Sequence, residues 1–145
     1  MKLTDLAIGD LILINNTPHK IQAIDSIDAE ILADDELYYV GEDRCHSEDK
    51  IEGIPITPEI LEKNGFYDSY TKRYYKRFYS NGCFDIAISL VYREIEVSKV
   101  CGAGTDCEEE EYGSAIAFGN DICVHTLQHA LRLCGLNELA DNFKV

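Results

Sequence analysis

Ile51-Glu-Gly-Ile-Pro-Ile-Thr-Pro-Glu-Ile-Leu-Glu-Lys-Asn-Gly-Phe66 is the joint of this chain: short strand-like runs precede it and a different pattern follows. Thr57 is a favourable N-cap, because its hydroxyl can accept a hydrogen bond from an orphan N–H of the first helical turn. Pro58 falls at the first helical position, where a missing N–H costs nothing. Ile56 and Leu61 have the spacing of a hydrophobic staple. Gly65 can take the left-handed conformation that stops a helix, with Phe66 folding back onto Leu61. The segment 53–66 is therefore expected to be a connecting helix with both ends fixed by local chemistry.

On its N-terminal side, Gly9-Asp10 marks a turn before the apolar run Leu11 to Ile14, and Asn15-Asn16-Thr17-Pro18 marks the next. Lys20 to Ile24 alternates polar with apolar, as a half-buried strand does. Ala29 to Leu32 and Leu37 to Val40 follow, separated by Asp34-Asp35. Short strands joined by tight turns predict a small subdomain over 1–52, either an SH3-like barrel or a curled sheet. Residues 41–50 carry few apolar side chains and read as a solvated loop or ragged edge strand. Their Cys45-His46 pair lacks a zinc-ligand spacing.

On the C-terminal side, Tyr70 to Tyr79 holds four of the 13 basic residues and no acid. As a strand it would put Lys72, Tyr74, Lys76 and Phe78 on one face and Arg73, Tyr75, Arg77 and Tyr79 on the other. Aromatics interleaved with cations can stack bases and hold phosphates. The alternative is an aromatic inner face, with cations covering the outer one and pairing with nearby acids; the global charge favours that alternative. Ser80-Asn81-Gly82 reads as a hairpin turn. Phe84, Ile86, Ile88 and Leu90, then Ile95 and Val97, continue an antiparallel meander. Residues 98–112, with Glu108 to Glu111, read as an acidic loop, and Ser114 to Phe118 as a last strand. Gly102-Ala-Gly104 lacks the rest of a phosphate loop.

Asn120 or Asp121 is expected to cap a final helix that Gly135 ends. Val124, Leu127, Leu131 and Cys134 form its core stripe, with Ala130 beside them. His125, Gln128, His129 and Arg132 form the opposite polar face. Leu136 to Val145 is a short tail docked through Leu139 and Phe143. The expected fold class is α+β, with residues 67–145 forming an antiparallel sheet plus the C-terminal helix, in one compact unit with 1–66.

The formal charge of −14, from 27 acidic and 13 basic residues, disfavours nucleic-acid phosphate and acidic lipid and favours basic partners. No apolar run approaches the roughly 20 residues that span a bilayer, and the first residues lack a signal-peptide pattern. A cytoplasmic location follows as the expectation. The six cysteines are then expected as thiols, although Cys101 and Cys107 could pair on oxidation.

The catalytic motifs are thin. His125 and His129 stand at i and i+4, the spacing of two zinc-binding imidazoles, but Thr126-Leu-Gln128 supplies no general-base glutamate. Cys107 and His125 could form a nucleophile and base only if the fold joined them. No dinucleotide fingerprint or P-loop is present. No catalytic residue, metal ligand or cofactor is assigned.

Ile54-Pro-Ile-Thr-Pro-Glu-Ile-Leu-Glu-Lys-Asn-Gly-Phe66 resembles the "IPLTxExLxKxGF" segment of a family of small uncharacterised proteins of Bacteroidales phages, prophages and mobile elements. Val124-His-Thr-Leu-Gln-His-Ala-Leu-Arg-Leu-Cys-Gly135 is similar to that family's "VHxLQNLY" segment, and Asp5 to Ile12 to its "DLRIGNYV" opening. Order and spacing match over most of the chain. The departures are His129-Ala130, where the family tends to show Asn-Leu, and the cysteine-containing 98–112 stretch. The resemblance implies a phage or mobile-element setting and brings no catalytic residues with it.

These readings lead to a non-enzymatic protein-binding module, whose partner is a host or phage protein contacting His125, Gln128, His129 and Arg132. Two alternatives stand beside it. One is an acidic nucleic-acid mimic that inhibits a host enzyme; the other is a metal-dependent hydrolase using His125 and His129.

Overall fold

The computed structural model describes residues 3–40, 49–70, 72–79, 83–100, 115–117 and 122–145. Its architecture is α+β, with two antiparallel five-stranded sheets and a few short helices. The chain divides into two units. One comprises Met1–Pro55 with Cys123–His125 and Val145; the other comprises Ile56–Ile122 and Thr126–Lys144. Among the described residues, no helix is long and apolar enough to cross a membrane.

The first unit contains β1 (Leu11–Ile14), β2 (Thr17–Asp25), β3 (Glu30–Ala33), β4 (Glu36–Tyr39) and β5 (Ile51–Gly53), in the order β4-β3-β2-β1-β5. Alternation fixes the faces: Ile12, Ile14, Ile21, Ile31, Ala33 and Ile51 point into one core, joined by Leu6. Burying each of the larger aliphatic side chains stabilises the fold by about 1.5–3 kcal/mol. Asn15-Asn16 and Asp34-Asp35 both have two successive positive φ angles, 50° and 66° in each case. That is the primed hairpin turn, which Asn and Asp tolerate better than other side-chain-bearing residues. The long β2 bulges between Ile21 and Ala23, and the extra residue, Gln22, accepts a hydrogen bond from the Asp35 N–H at 2.9 Å. The sheet is open, with β4 and β5 at its edges. A closed barrel, one of the two forms expected, is not formed, because alternation sets faces and does not dictate closure. An isolated bridge, Pro55 to Cys123, and the Val124 N–H to Ile54 carbonyl bond at 2.8 Å bring residues 123–125 into this unit.

The second unit contains α1 (Pro58–Lys63), β6 (Tyr67–Asp68), β7 (Arg73–Tyr79), β8 (Cys83–Ser89), β9 (Glu94–Val100) and β10 (Ala115–Ala117), with strand order β10-β9-β8-β7-β6. It is the expected meander, extended by one two-residue strand. Tyr74, Ile86, Ile88, Ile95 and Val97 are among its buried side chains. β9 runs through residues 98–100, which the sequence reading placed in the acidic loop. The rest of that loop, the Ser80–Gly82 turn and the Cys45-His46 pair lie outside the described residues, although Tyr79 and Cys83 pair as the expected hairpin requires.

Helix α1 has the caps that its sequence predicts. The Ile60 N–H donates to the Thr57 hydroxyl at 3.4 Å. Gly65 takes φ 79°. The Phe66 N–H reaches the Leu61 carbonyl at 3.0 Å and the Gly65 N–H reaches Glu62 at 2.9 Å, the two bonds of a Schellman end. Helix α2 (Val124–Leu133) ends in the same way at Gly135, with Leu136 bonded back to Leu131 at 2.8 Å. It begins at Val124, later than a cap at Asn120 or Asp121 would set, and both of those residues lie outside the described ones. Leu127, Ala130 and Leu131 are fully buried as expected, while Cys134 is only half-buried. A short third helix, α3 (Asn137–Asp141), buries Leu139, with Phe143 buried just beyond it. Cys83, Cys123 and Cys134 are thiols.

Candidate functional site

Period-2 alternation along β7 separates two chemistries. Tyr74, 4% exposed, belongs to the inner face. Next on that face, Lys76 donates a hydrogen bond from Nζ to the Asn64 carbonyl and lies 5.8 Å from the Phe66 ring centre. Its ammonium thus caps the C-terminal end of α1, where the helix dipole favours a cation, and burial pulls its pKa down. This lysine is committed to the fold.

The outer face carries Arg73, Tyr75, Arg77 and Tyr79. Arg77 lies directly opposite Asp85 on β8, and its Nε and Nη2 donate to the two carboxylate oxygens at 2.6 and 2.8 Å. That bidentate bond holds the Asp85 carboxyl below its ordinary value, against the opposing effect of desolvation, and raises the guanidinium. Arg73 donates to Glu96 at 2.6 Å and lies 5.5 Å from the centre of the Tyr75 ring. Tyr75 pairs with Tyr67 on β6, their rings 6.0 Å apart and inclined by 29°. The outer cations are therefore matched to acids, as the alternative to nucleic-acid binding required.

Tyr67, Tyr75, Lys76, Arg77 and Asp85 line a surface pocket of about 300 Å³. A carboxylate held ionised by a guanidinium is a poor proton donor at neutral pH. The pocket offers aromatic walls and a fixed ion pair, which suits contact better than proton transfer.

The same sheet carries exposed side chains along its length and at its turns. Tyr67 is 63% exposed, Tyr79 67% and Tyr92 76%, while Tyr70 is fully exposed and Val91 more than half. The Leu90 N–H bonds to the Lys72 carbonyl at 3.2 Å, so the turns bearing Tyr70 and Tyr92 lie at the same end of the sheet. Tyr70 also has φ 67°, an unfavourable conformation for a bulky side chain.

The side chains of the expected site on α2 are less exposed than the sequence suggests. Gln128 is fully buried, with Nε2 donating to the Ala140 carbonyl at 2.9 Å. Arg132 donates to Asp141 at 3.1 Å. His125 is 6% exposed and His129 half-buried. Part of the polar face is thus taken up within the chain, with α3 bonding Gln128 and Arg132, while His129 and Arg132 stay half-exposed. A helical wheel shows polarity and cannot show that a following turn of helix supplies the partners. The helix does place His125 and His129 one turn apart, but among the described residues no three His, Cys, Asp or Glu side chains are grouped to hold a metal ion. Cys107 lies outside the described residues. The tyrosine surface was only half visible beforehand: β7 was legible as a strand, but β6 is too short to register as a period.

Comparison with protein-family models, curated proteins and solved structures gives no match to the chain.

Proposed function

We propose that this chain is a non-enzymatic protein-binding module that contacts its partner through the tyrosine-bearing surface of the second sheet. The observation that carries this reading is the exposure of Tyr67, Tyr70, Val91 and Tyr92 on one sheet, Tyr67 in the pocket with Tyr75 and the other three in turns at one end of the sheet. Tyrosines supply large contact area at low conformational-entropy cost and recur as interface anchors. Tyr70 adds a second argument, since a bulky residue held at positive φ with no burial to offset it points to use outside the fold. The resemblance to small phage and mobile-element proteins supports a host or phage protein as partner and a cytoplasmic setting. The net charge of −14 supports a basic one. The order of the first sheet about its long, bulged β2 supports likening that unit to SH3-like small barrels, a scaffold that fixes no function of its own.

The test is capture from a gut Bacteroidales lysate by the immobilised chain and by its Tyr67→Ser/Tyr70→Ser/Tyr92→Ser variant. The reading predicts a stoichiometric protein retained by the first and lost by the second, with the melting temperature nearly unchanged. Equal capture by both forms would remove the tyrosine surface from the account.

A further inference from the structure

The solvent side of the first sheet holds a second surface with its own chemistry. The register of β2, β3 and β4 places Ala23, Leu32 and Leu37 side by side in one row. Their neighbours Ile31 and Ala33 are fully buried, so this row lies on the opposite face. Ala23 is exposed, Leu32 half-buried, and Leu37 exposed over 66% of its surface. Acids border the row. Asp25 and Glu30 are directly opposite each other next to it, and Asp35 stands in the turn at its other end. From Ile21 to Val40 the chain has six acids and no lysine or arginine.

The fold uses part of this arrangement, since Asp25 Oδ1 accepts from the Ile27 and Asp28 N–H groups at 2.8 and 3.3 Å in the β2–β3 turn, but it does not use the facing of Asp25 against Glu30 or the exposure of Leu37. Like charges directly across a strand pair destabilise a sheet, and an exposed leucine gains nothing from water. A single ligand chemistry relieves both. We infer that this acid-bordered row docks a basic amphipathic protein segment, with an aliphatic side chain over Leu32 and Leu37 and lysine or arginine side chains against Asp25, Glu30 and Asp35. The complementarity of charge sets the class of partner and speeds its encounter, and the leucines separate it from a general polycation. The inference does not depend on the tyrosine surface.

The experiment uses the full chain and two fluorescent probes of equal length, an alternating lysine-leucine peptide and an oligolysine, followed by anisotropy. The lysine-leucine peptide should bind about tenfold tighter than oligolysine, and binding should weaken as salt is raised through the physiological range. Leu37→Ser should lower its affinity about tenfold, and Glu30→Gln with Asp35→Asn should flatten the salt dependence. The Tyr67→Ser/Tyr70→Ser/Tyr92→Ser variant should bind this probe as the parent does. Equal affinity for both peptides with no effect of Leu37→Ser would overturn the proposal, leaving a diffuse polyanion. Absence of binding would overturn it too, as would loss of binding in the tyrosine variant.

Discussion

Replacing Gly53 by alanine adds one carbon at a place where the first unit has no room. A Cβ built on Gly53 would lie 2.7 Å from Cys123 Cβ and 2.9 Å from His125 Cε1, with the Cys123 sulfur closer still. A buried imidazole can turn slightly, but a Cβ is fixed to its backbone. Cys123 is held by its bridge to Pro55. Two effects oppose each other. Gly→Ala at a site whose backbone alanine can adopt stabilises by about 0.4–1 kcal/mol through the unfolded chain. Overpacking costs about 1–3 kcal/mol, and contacts this short place it toward the upper part of that range. The expected net loss is about 1–2 kcal/mol, lowering the melting temperature by roughly 2–8 °C in a chain of this size. Thermal and urea unfolding followed by circular dichroism would measure it. Cys123→Ala in the Gly53→Ala background should restore only part of the loss, because Cys123 Cβ remains. If Gly53→Ala is as stable as the parent or more so, the close approach of β5 to residues 123–125 is not what holds this unit together.

Gln128→Ala should destabilise by about 1–3 kcal/mol in urea titrations, since it empties a fully buried side-chain position and removes the 2.9 Å bond to the Ala140 carbonyl, which keeps only backbone donors from Asn142 and Phe143; an exposed residue would change stability by less than about 0.5 kcal/mol. Asn64→Ala should cost a similar amount, about 1–3 kcal/mol, and speed hydrogen exchange at Lys144. The Asn64 amide bonds both the N–H and the carbonyl of Lys144, at 2.8 and 2.7 Å. Asp85 has a folded pKa below its ordinary 3.8, so its contribution to stability is present above that value and lost as pH falls through the lower folded one. Asp85→Asn should remove that part of the acid sensitivity, and a carboxyl carbon NMR titration of the parent should show the depressed midpoint.

How far the sequence carried can be argued element by element. The ends of α1 were legible because Thr57, Pro58, Gly65 and Phe66 each act within a few residues of themselves. The strands of both sheets were legible where an alternating or continuous apolar pattern ran for four residues or more. Local chemistry stops there. The choice between an open and a closed first sheet depends on twist and register, which no period encodes. The burial of Gln128 depends on the backbone of Ala140, twelve residues on. Arg77 could be expected to meet an acid, but only the β7–β8 register names Asp85. The exposed leucine row and the Tyr67–Tyr75 pair emerge for the same reason, since they consist of residues brought side by side from neighbouring strands.

The central claim, that the second sheet presents a protein-contact surface, is tested most directly by tyrosine footprinting. The chain would be oxidatively labelled with and without the protein that it captures, and the modified tyrosines quantified by mass spectrometry. Tyr67, Tyr70 and Tyr92 should be labelled readily in the free chain and protected together in the complex, while Tyr38 and Tyr39 of the first unit keep their reactivity. Unchanged labelling of Tyr67, Tyr70 and Tyr92 in a saturated complex would contradict the claim.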